Sequence, residues 1–138
     1  MSDGSAAIIE SNGRILLQQR DLEIRIFPGY WSLFGGHAND DEDPIETLLR
    51  ELEEELGRKF DVRDFRYVGD FVRVEQPVGR IHIYHHEGNY TCSDFELREG
   101  KAMAFVNPKY LSRLRIVPDM ENILKQIFRG KNDRTKNT

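Results

Sequence analysis

One series of glycine, glutamate and arginine residues at fixed spacing constrains this chain more than any other feature. Five residues separate Gly36 from Glu42, seven more separate Glu42 from Arg50, and the segment RELEEELG follows at 50–57. Glycine and each charged residue type make up only a small share of average proteins, so this many identities at fixed distances are rarely accidental. The segment predicts a glycine turn, a capped helix and clustered carboxylates in one unit.

Residues 43–57 predict an α-helix with a defined start and end. Asp43 suits the N-cap, Pro44 suits the first helical position, and Glu46 stands three residues after Asp43, as in a capping box. Gly57 is typical of the residue that follows a helix. The helix has one apolar stripe, formed by Ile45, Leu48, Leu49, Leu52 and Leu56.

Three glutamates of this helix are predicted to lie side by side. At about 100° per residue, Glu51, Glu54 and Glu55 fall within one arc beside the apolar stripe. Carboxylates packed this closely repel one another unless a cation lies among them, and such hard oxygen ligands suit Mg²⁺ or Mn²⁺ better than Zn²⁺. The alternative is a solvated glutamate-rich face, which is common and which Glu46 and Glu53 are expected to form. The glycine turn and Glu42 at fixed distances upstream favour the metal site.

Residues 36–58 resemble the Nudix box, written G-x5-E-x7-R-E-U-x-E-E-x-G-U, where U is a bulky aliphatic residue. Every position matches except the last, where the chain has Arg58. The preceding segment WSLFGGH at 31–37 also resembles the lead-in of that family, although Phe34 stands where many members have proline. Neither departure removes a carboxylate, and the box is specific for the family rather than for a substrate.

The resemblance implies a role for each matching residue. The metal ion, Mg²⁺ with Mn²⁺ as an alternative, would be held by Glu51, Glu54, Glu55 and the carbonyl oxygen of Gly35 or Gly36. Arg50 and Glu42 would form the pair that orients these carboxylates. Catalysis is thereby assigned to Glu51, Glu54 and Arg50, with Glu51 as the preferred base. Glu99, beside Gly100, is the distal alternative for the base and a candidate residue beside the substrate, although a surface turn is the favoured interpretation of this position.

Other residues are candidates for binding the substrate. Arg20 and Arg25 precede the box and have planar guanidinium groups that match phosphate oxygens, although either is also consistent with a solvated loop arginine. Phe27, Tyr30 and Trp31 have rings that could stack on a nucleobase, and for Trp31 a place in the core is an equal alternative.

Three histidines lie close together at 82, 85 and 86. Strand spacing puts His82 and His86 on one face and His85 on the other, and the lone cysteine, Cys92, is not close to them in sequence. This arrangement indicates a polar strand face rather than a zinc site.

The remaining sequence indicates one small α+β domain. The order of elements resembles the Nudix fold, a mixed β-sheet sandwiched between α-helices (α/β/α). The predicted elements are a hairpin at Asn12-Gly13, strands at 31–34, 65–74, 80–86 and 103–106, a helical turn at 107–114, and a last helix that Asp119 caps and Gly130 ends. We therefore expect a domain over residues 1–130 and a disordered polar tail over 131–138.

Composition limits the partners of this domain. The net charge of −4 over 138 residues argues against a nucleic-acid surface, and no apolar run approaches the ~20 residues needed to span a membrane. A single cysteine and the lack of a signal-peptide pattern favour the cytoplasm. The family includes homodimers, so a homodimer stays open.

These features favour a Mg²⁺-dependent hydrolase in which water attacks phosphorus in the diphosphate linkage of a nucleotide. The preferred substrate is a (deoxy)nucleoside triphosphate, cleaved to the monophosphate and pyrophosphate. One alternative is a nucleotide sugar or a dinucleoside polyphosphate. Another, of a different class, is a regulatory module that binds a nucleotide without hydrolysing it.

Overall fold

The computed structural model describes residues 3–75 and 77–136, with side chains described as far as Phe128. Within these residues one mixed sheet contains seven strands: β1 (Gly4–Ser11), β2 (Arg14–Gln19), β3 (Trp31–Ser32), β4 (Phe34–His37), β5 (Arg66–Arg73), β6 (Gly79–Glu87) and β7 (Ala102–Val106). The predicted strands are confirmed, with 31–34 divided between β3 and β4.

The sheet is built around a parallel pair, β1 and β6. The strands follow the order β3-β2-β1-β6-β5, while β4 pairs with β1 and β7 pairs with β2. The hairpin between β1 and β2 turns at Asn12 and Gly13, whose φ values of 52° and 75° are those of a type I′ turn. The Asn-Gly prediction is therefore confirmed.

Two helices cover the two faces of the sheet, which confirms the predicted α/β/α sandwich. Helix α1 (Pro44–Leu56) buries its leucines against alternate residues of β1, including Ala7 and Ile9. Helix α2 (Pro118–Lys136) packs on the opposite face, where Ala6 and Ile8 point. Single turns of 3₁₀ helix lie at Val62–Asp64 and Cys92–Asp94, and a longer one lies at Pro108–Arg113.

Helix α1 begins and ends as the sequence predicts. The N–H of Asp43 donates to the Glu46 carboxylate at 3.1 Å, which is one half of the capping box. At the other end Gly57 has a φ of 65° and donates its N–H to the carbonyl of Glu53 at 3.0 Å. Glycine adopts this left-handed conformation without the steric cost that a Cβ imposes.

The last helix differs from its prediction at both ends. Asp119 lies inside its first turn, and the carbonyl of Val117 accepts the first helical bond, from the N–H of Glu121. The helix also continues past Gly130, because an isolated glycine lowers helix stability by only about 1 kcal/mol and does not by itself end a helix. Residues 137–138 of the predicted tail lie outside the described residues, and the division at residue 130 stays a prediction. None of the described helices is long and apolar enough to cross a membrane.

Candidate active site

Gly35 and Gly36 lie within strand β4 rather than in the turn that the sequence predicts, and they bring β4 against both β1 and α1. Gly35 lies opposite Ala6, and a Cβ added to Gly35 would collide with the carbonyl oxygen of Ser5. A Cβ added to Gly36 would collide with the carboxylate of Glu51. The two glycines therefore form a cradle in which the backbone of β4 meets the carboxylates of α1, which explains why the glycines stand at a fixed distance before the helix.

Arg50 connects the glutamates around this cradle. Its Nε and Nη2 donate to the two oxygens of Glu42 at 2.7 and 2.9 Å, a bidentate pair. Nη2 also donates to the carbonyl oxygen of His37, and Nη1 donates to Glu51 at 2.9 Å and to Glu54 at 3.3 Å. The predicted Arg50–Glu42 pair is present, and Arg50 in addition supplies positive charge to two of the helix carboxylates.

Glu42 is fixed as a carboxylate by its donors. Besides Arg50, the N–H of Asn39 donates to it at 2.9 Å and the hydroxyl of Thr47 donates at 2.8 Å. The bonds from Arg50, followed by the bond from Asn39, lower the pKa of Glu42 to about 2. Glu42 therefore stays negative and anchors the guanidinium group across a wide pH range.

Glu55 is the most buried carboxylate of the site, with 3 % of the residue exposed. The N–H of Gly35 donates to it at 2.9 Å, and Nε2 of Gln18 donates at 3.2 Å. Burial, and then the negative charge of Glu51, raise the pKa of Glu55 to about 8. A buried carboxyl that is difficult to ionise indicates a place for a cation.

Glu51 and Glu54 complete the predicted trio with different environments. Burial is the main cause that raises the pKa of Glu51, while its bond to Arg50 acts in the opposite direction. Glu54 is more open, with 53 % of its side chain exposed. Glu53 is also exposed, as the sequence predicts.

The loop that carries Glu99 is held against the C-terminal end of α1. The N–H of Arg98 donates to the carbonyl of Glu55 at 2.8 Å, and the N–H of Glu96 donates to the carbonyl of Leu56 at 2.9 Å. These bonds satisfy carbonyls that the helix end leaves without partners. These two bonds place Glu99 near the site, where its negative charge contributes to the raised pKa values of Glu51 and Glu55.

A cleft of about 640 Å³ opens beside the cradle. Gly35, Gly36 and Glu55 line one part of it, and Glu99 also lines it. Arg20 is in its wall, held by a bond from Nε to the carbonyl of Ile26 at 3.2 Å. The structure thus brings Arg20 and Glu99 to the same cleft as Gly35, Gly36 and Glu55. The residues that line the cleft do not include Glu42, Arg50, Glu51 or Glu54, which lie around the cradle beside it.

Three predicted substrate residues do not line this cleft. Trp31 packs against the core on the α2 side, because its backbone pairs with the segment around Ile116. Arg25 is exposed on its loop, and Tyr30 contacts the ring of Phe27 with centroids 5.2 Å apart. Of the candidate aromatic residues, Phe27 is the one in the cleft wall.

Several cleft residues were not predicted from the sequence. Gln18, His37, Arg73 and Asp119 line the cleft together with Gly35, Gly36 and Glu55. The Asp119 carboxylate accepts from the N–H groups of Val74 and Glu75 at 2.9 and 3.0 Å and so joins α2 to the end of β5. Burial, followed by the charge of Arg73, lowers the pKa of His37. These residues come from separate elements, and no spacing in the sequence relates them.

The two departures from the Nudix box are explained by packing. Phe34 is fully buried in the core beneath α1. The Arg58 guanidinium lies over the rings of Phe60, Tyr90 and Phe95, at 5.3, 5.0 and 5.7 Å from their centroids. Arg58 therefore replaces an aliphatic residue through cation–π contacts and its apolar stem.

The three histidines have separate partners. His82 lies 3.7 Å from the Asp3 carboxylate, His85 lies 3.0 Å from that of Glu10, and His86 contacts the Tyr90 hydroxyl at 2.7 Å. The three rings therefore contact different residues.

The residues of the site fit the divalent ion that the Nudix box implies. The carboxyls of Glu51 and Glu55 have raised pKa values, and the carboxylate of Glu54 accepts a hydrogen bond from Arg50. The glycine cradle leaves room beside them, where the Cβ of any other residue would collide. All of the available donors are oxygens, the ligand type that Mg²⁺ prefers.

Comparisons with known proteins agree with this geometry. The sequence matches the NUDIX domain over residues 3–127. It is 32 % identical over 118 residues to the CTP pyrophosphohydrolase of Escherichia coli (strain K12), covering 82 % of this chain and 81 % of that protein. A shorter match, 40 % identical over 55 residues, covers 40 % of this chain and 39 % of the nucleoside triphosphatase NudI of Enterobacter sp. (strain 638). The solution structure of the E. coli ORF135 protein has a TM-score of 0.73 at 29 % identity, covering 94 % of this chain and 91 % of that chain.

Proposed function

Because this chain belongs to the Nudix family and is a hydrolase of phosphoric anhydride bonds, we propose that it cleaves a (deoxy)nucleoside triphosphate to the monophosphate and pyrophosphate with Mg²⁺. The observation that carries the proposal is that Glu55, the glycine cradle and Arg20 all line one cleft. The relative that aligns over most of both chains is named for hydrolysis of CTP, which makes a triphosphate the first substrate class to consider.

The proposed metal ligands are the three glutamates of α1 and the backbone of the cradle. Glu54 and Glu55 would hold Mg²⁺ together with the carbonyl of Gly35 or Gly36, and Glu51 would act either as a further ligand or as the base. When bound, such an ion neutralises phosphate oxygens and lowers the pKa of water. Arg50 positions Glu51 and Glu54, and Glu42 positions Arg50, through the bonds described above.

Glu51 is the proposed general base. Its raised pKa brings it closer to neutrality, where a base is most effective. The water oxygen forms a bond to phosphorus while the bond from phosphorus to the bridging oxygen breaks. The electron pair of that bond stays on the bridging oxygen, which leaves with pyrophosphate if water attacks the α-phosphorus or with the monophosphate if it attacks the β-phosphorus, and the proton of the water passes to Glu51. Glu99, near both Glu51 and Glu55, is the alternative base.

The walls of the cleft provide contacts for the rest of the nucleotide. Arg20 and Arg73 offer positive charge for a polyphosphate, and Phe27 offers a ring on which a base could stack. The carboxylate of Asp119 accepts hydrogen bonds from two backbone N–H groups, so its role in the cleft wall is to hold the backbone after β5 in place.

Product analysis tests the proposal. The protein is incubated with Mg²⁺ and a panel of nucleoside triphosphates including CTP, oxidised nucleotides, nucleotide sugars and dinucleoside polyphosphates. We expect a monophosphate and pyrophosphate from one triphosphate. Turnover confined to nucleotide sugars or dinucleoside polyphosphates would replace the proposed substrate with the second class. Magnesium-independent binding without product, from folded protein, would instead identify a binding module.

A further inference from the structure

A second group of metal-ligating side chains lies at the far end of the central strands. Gly4 at the start of β1 pairs with His37 beside the cradle, whereas Glu10 stands six residues further along the same strand. The cradle glycines lie opposite Ser5 and Ala6, four to five residues from Glu10, which at about 3.3 Å per residue places Glu10 roughly 15 Å along the strand from the cradle. The group is therefore separate from the candidate active site.

The register of the parallel pair brings three ligands together. Glu10 lies directly opposite Glu87, and His85 lies two residues before Glu87. Because side chains alternate along a strand, His85 and Glu87 share a face, the one on which Ile81 and Ile83 join the core beneath α2. Glu10, His85 and Glu87 thus converge from two neighbouring strands.

The distances suit a bound ion. Nε2 of His85 is 3.0 Å from Oε1 of Glu10, and one ligand atom from each of the three residues lies within 4.8 Å of the others. Ligands at 2.0–2.1 Å from a tetrahedral ion are about 3.3 Å apart, so small side-chain rotations would bring all three into range. The side chains of His85 and Glu10 are only 19 % and 18 % exposed, which limits their motion, while Glu87 is exposed and leaves an entry path.

The backbone that carries these ligands is fixed. The N–H of Gly88 donates to the carbonyl of Glu10 at 2.9 Å, directly beside the group. The hydroxyl of Ser11 donates to the carbonyl of Tyr90 at 3.0 Å and accepts from the Tyr90 N–H at 2.8 Å. These bonds hold the C-terminal end of β1 at a constant distance from the segment that follows β6, and so they keep Glu10, His85 and Glu87 close together.

The charges of the group also favour a cation. Two glutamates directly opposite each other in a sheet repel, and the imidazole of His85 offsets that repulsion only when it is protonated. One nitrogen and two carboxylates form a donor set for a first-row transition ion, whereas Mg²⁺ prefers oxygen ligands alone. We propose that Glu10, His85 and Glu87 bind a divalent transition ion such as Zn²⁺, in a site distinct from the Mg²⁺ site of the box.

The neighbouring strand offers a different way to neutralise the carboxylates. Arg66 on β5 is the Cα partner of His85 and is exposed. If Arg66 alone provides the compensating charge, the group will not respond to Zn²⁺. The two possibilities therefore give opposite experimental results.

Zinc titration in the presence of excess Mg²⁺ tests the site. Calorimetry on the wild type is compared with Glu87→Gln, an exposed position chosen to leave the fold intact, and with Glu53→Gln as a matched control on α1. We expect a Zn²⁺ site that Glu87→Gln weakens by at least about 10-fold, which is the scale of losing a metal-supporting group, while Glu53→Gln does not change it. Hydrolysis with Mg²⁺ should be unchanged in Glu87→Gln, so failure here does not bear on the proposed function.

A second measurement does not depend on any variant. Zn²⁺ should shift the ¹⁵N resonances of the His85 ring and leave those of His82 and His86 in place.

Identical zinc isotherms for the wild type and Glu87→Gln would overturn the proposal. Loss of the zinc site in Glu54→Gln instead would assign the ion to the box and would also overturn it.

Discussion

Replacing Glu55 with glutamine should make the metal-free protein more stable at alkaline pH while removing its response to Mg²⁺. The Glu55 carboxyl has an ordinary pKa of 4.5 and a pKa of about 8 in the folded protein, mainly because it is buried. Between these values the folded protein binds a proton at Glu55 that the unfolded chain does not bind. Stability therefore falls as pH rises through this interval, since folding must then bury an ionised group.

The magnitude follows from the width of the interval. About 3.5 pH units at 1.36 kcal/mol per unit give an upper limit of about 5 kcal/mol, and relaxation around a buried charge reduces this value. We expect a difference of roughly 2 to 5 kcal/mol between the variant and the wild type at pH above 8, and little difference near pH 5. Glutamine keeps the shape of the side chain, can accept from the Gly35 N–H, and can donate to Gln18 once the Gln18 amide rotates.

The assay is urea denaturation of both proteins in a metal chelator from pH 5 to pH 9. Groups other than Glu55 titrate in both proteins, so the difference curve isolates its contribution. Glu53→Gln, exposed on the same helix, should follow the wild type throughout. Added Mg²⁺ should stabilise the wild type, more strongly at pH 8 than at pH 6, and should not stabilise Glu55→Gln. Parallel curves for the wild type and Glu55→Gln would refute the argument, because they would mean that folding does not perturb this carboxyl.

Three further substitutions test other parts of the site. Arg50→Lys loses the bidentate pair with Glu42 and should lower turnover by about 10- to 100-fold with little loss of stability; unchanged turnover would remove Arg50 from the catalytic unit. Arg58→Ala should lower the free energy of unfolding by about 1 to 2 kcal/mol through lost ring contacts, measured in urea, with turnover per folded molecule unchanged; a wild-type stability would contradict the packing described for Arg58. Asp119→Ala leaves two backbone N–H groups without their acceptor and should cost about 1 to 3 kcal/mol, with faster hydrogen exchange at Val74 and Glu75; unchanged exchange there would contradict it.

The sequence predicts the local parts of this structure well. The caps of α1, its leucine stripe and the Asn12-Gly13 turn depend on residues within a few positions of one another, so their physics can be read from spacing. The pair between Arg50 and Glu42 also follows from the Nudix box, because Glu42 directly precedes the N-cap of α1 and Arg50 lies eight residues further along, within that helix.

Contacts between distant segments could not be predicted in this way. Trp31 is partly buried against the core where its strand meets the segment around Ile116, and nothing near Trp31 in the sequence indicates that neighbour. Asp119 resembles a helix cap by its position, yet its carboxylate binds the backbone of residues 74 and 75. Likewise His85 gains Glu10 as a neighbour only through the parallel register of β1 and β6, which leaves no local signal.

The central claim, that the glutamates around the cradle perform the chemistry, is tested most directly by two neighbouring substitutions on one helix. Glu53 and Glu54 are both exposed, but Glu54 contacts Arg50, and no such contact is described for the Glu53 carboxylate. Turnover of the preferred triphosphate with Mg²⁺ is measured for Glu54→Gln and Glu53→Gln at matched folded concentration. We predict a loss of at least about 10²-fold for Glu54→Gln and wild-type turnover for Glu53→Gln. Near-normal turnover in folded Glu54→Gln, or an equal loss in both variants, would contradict the assignment.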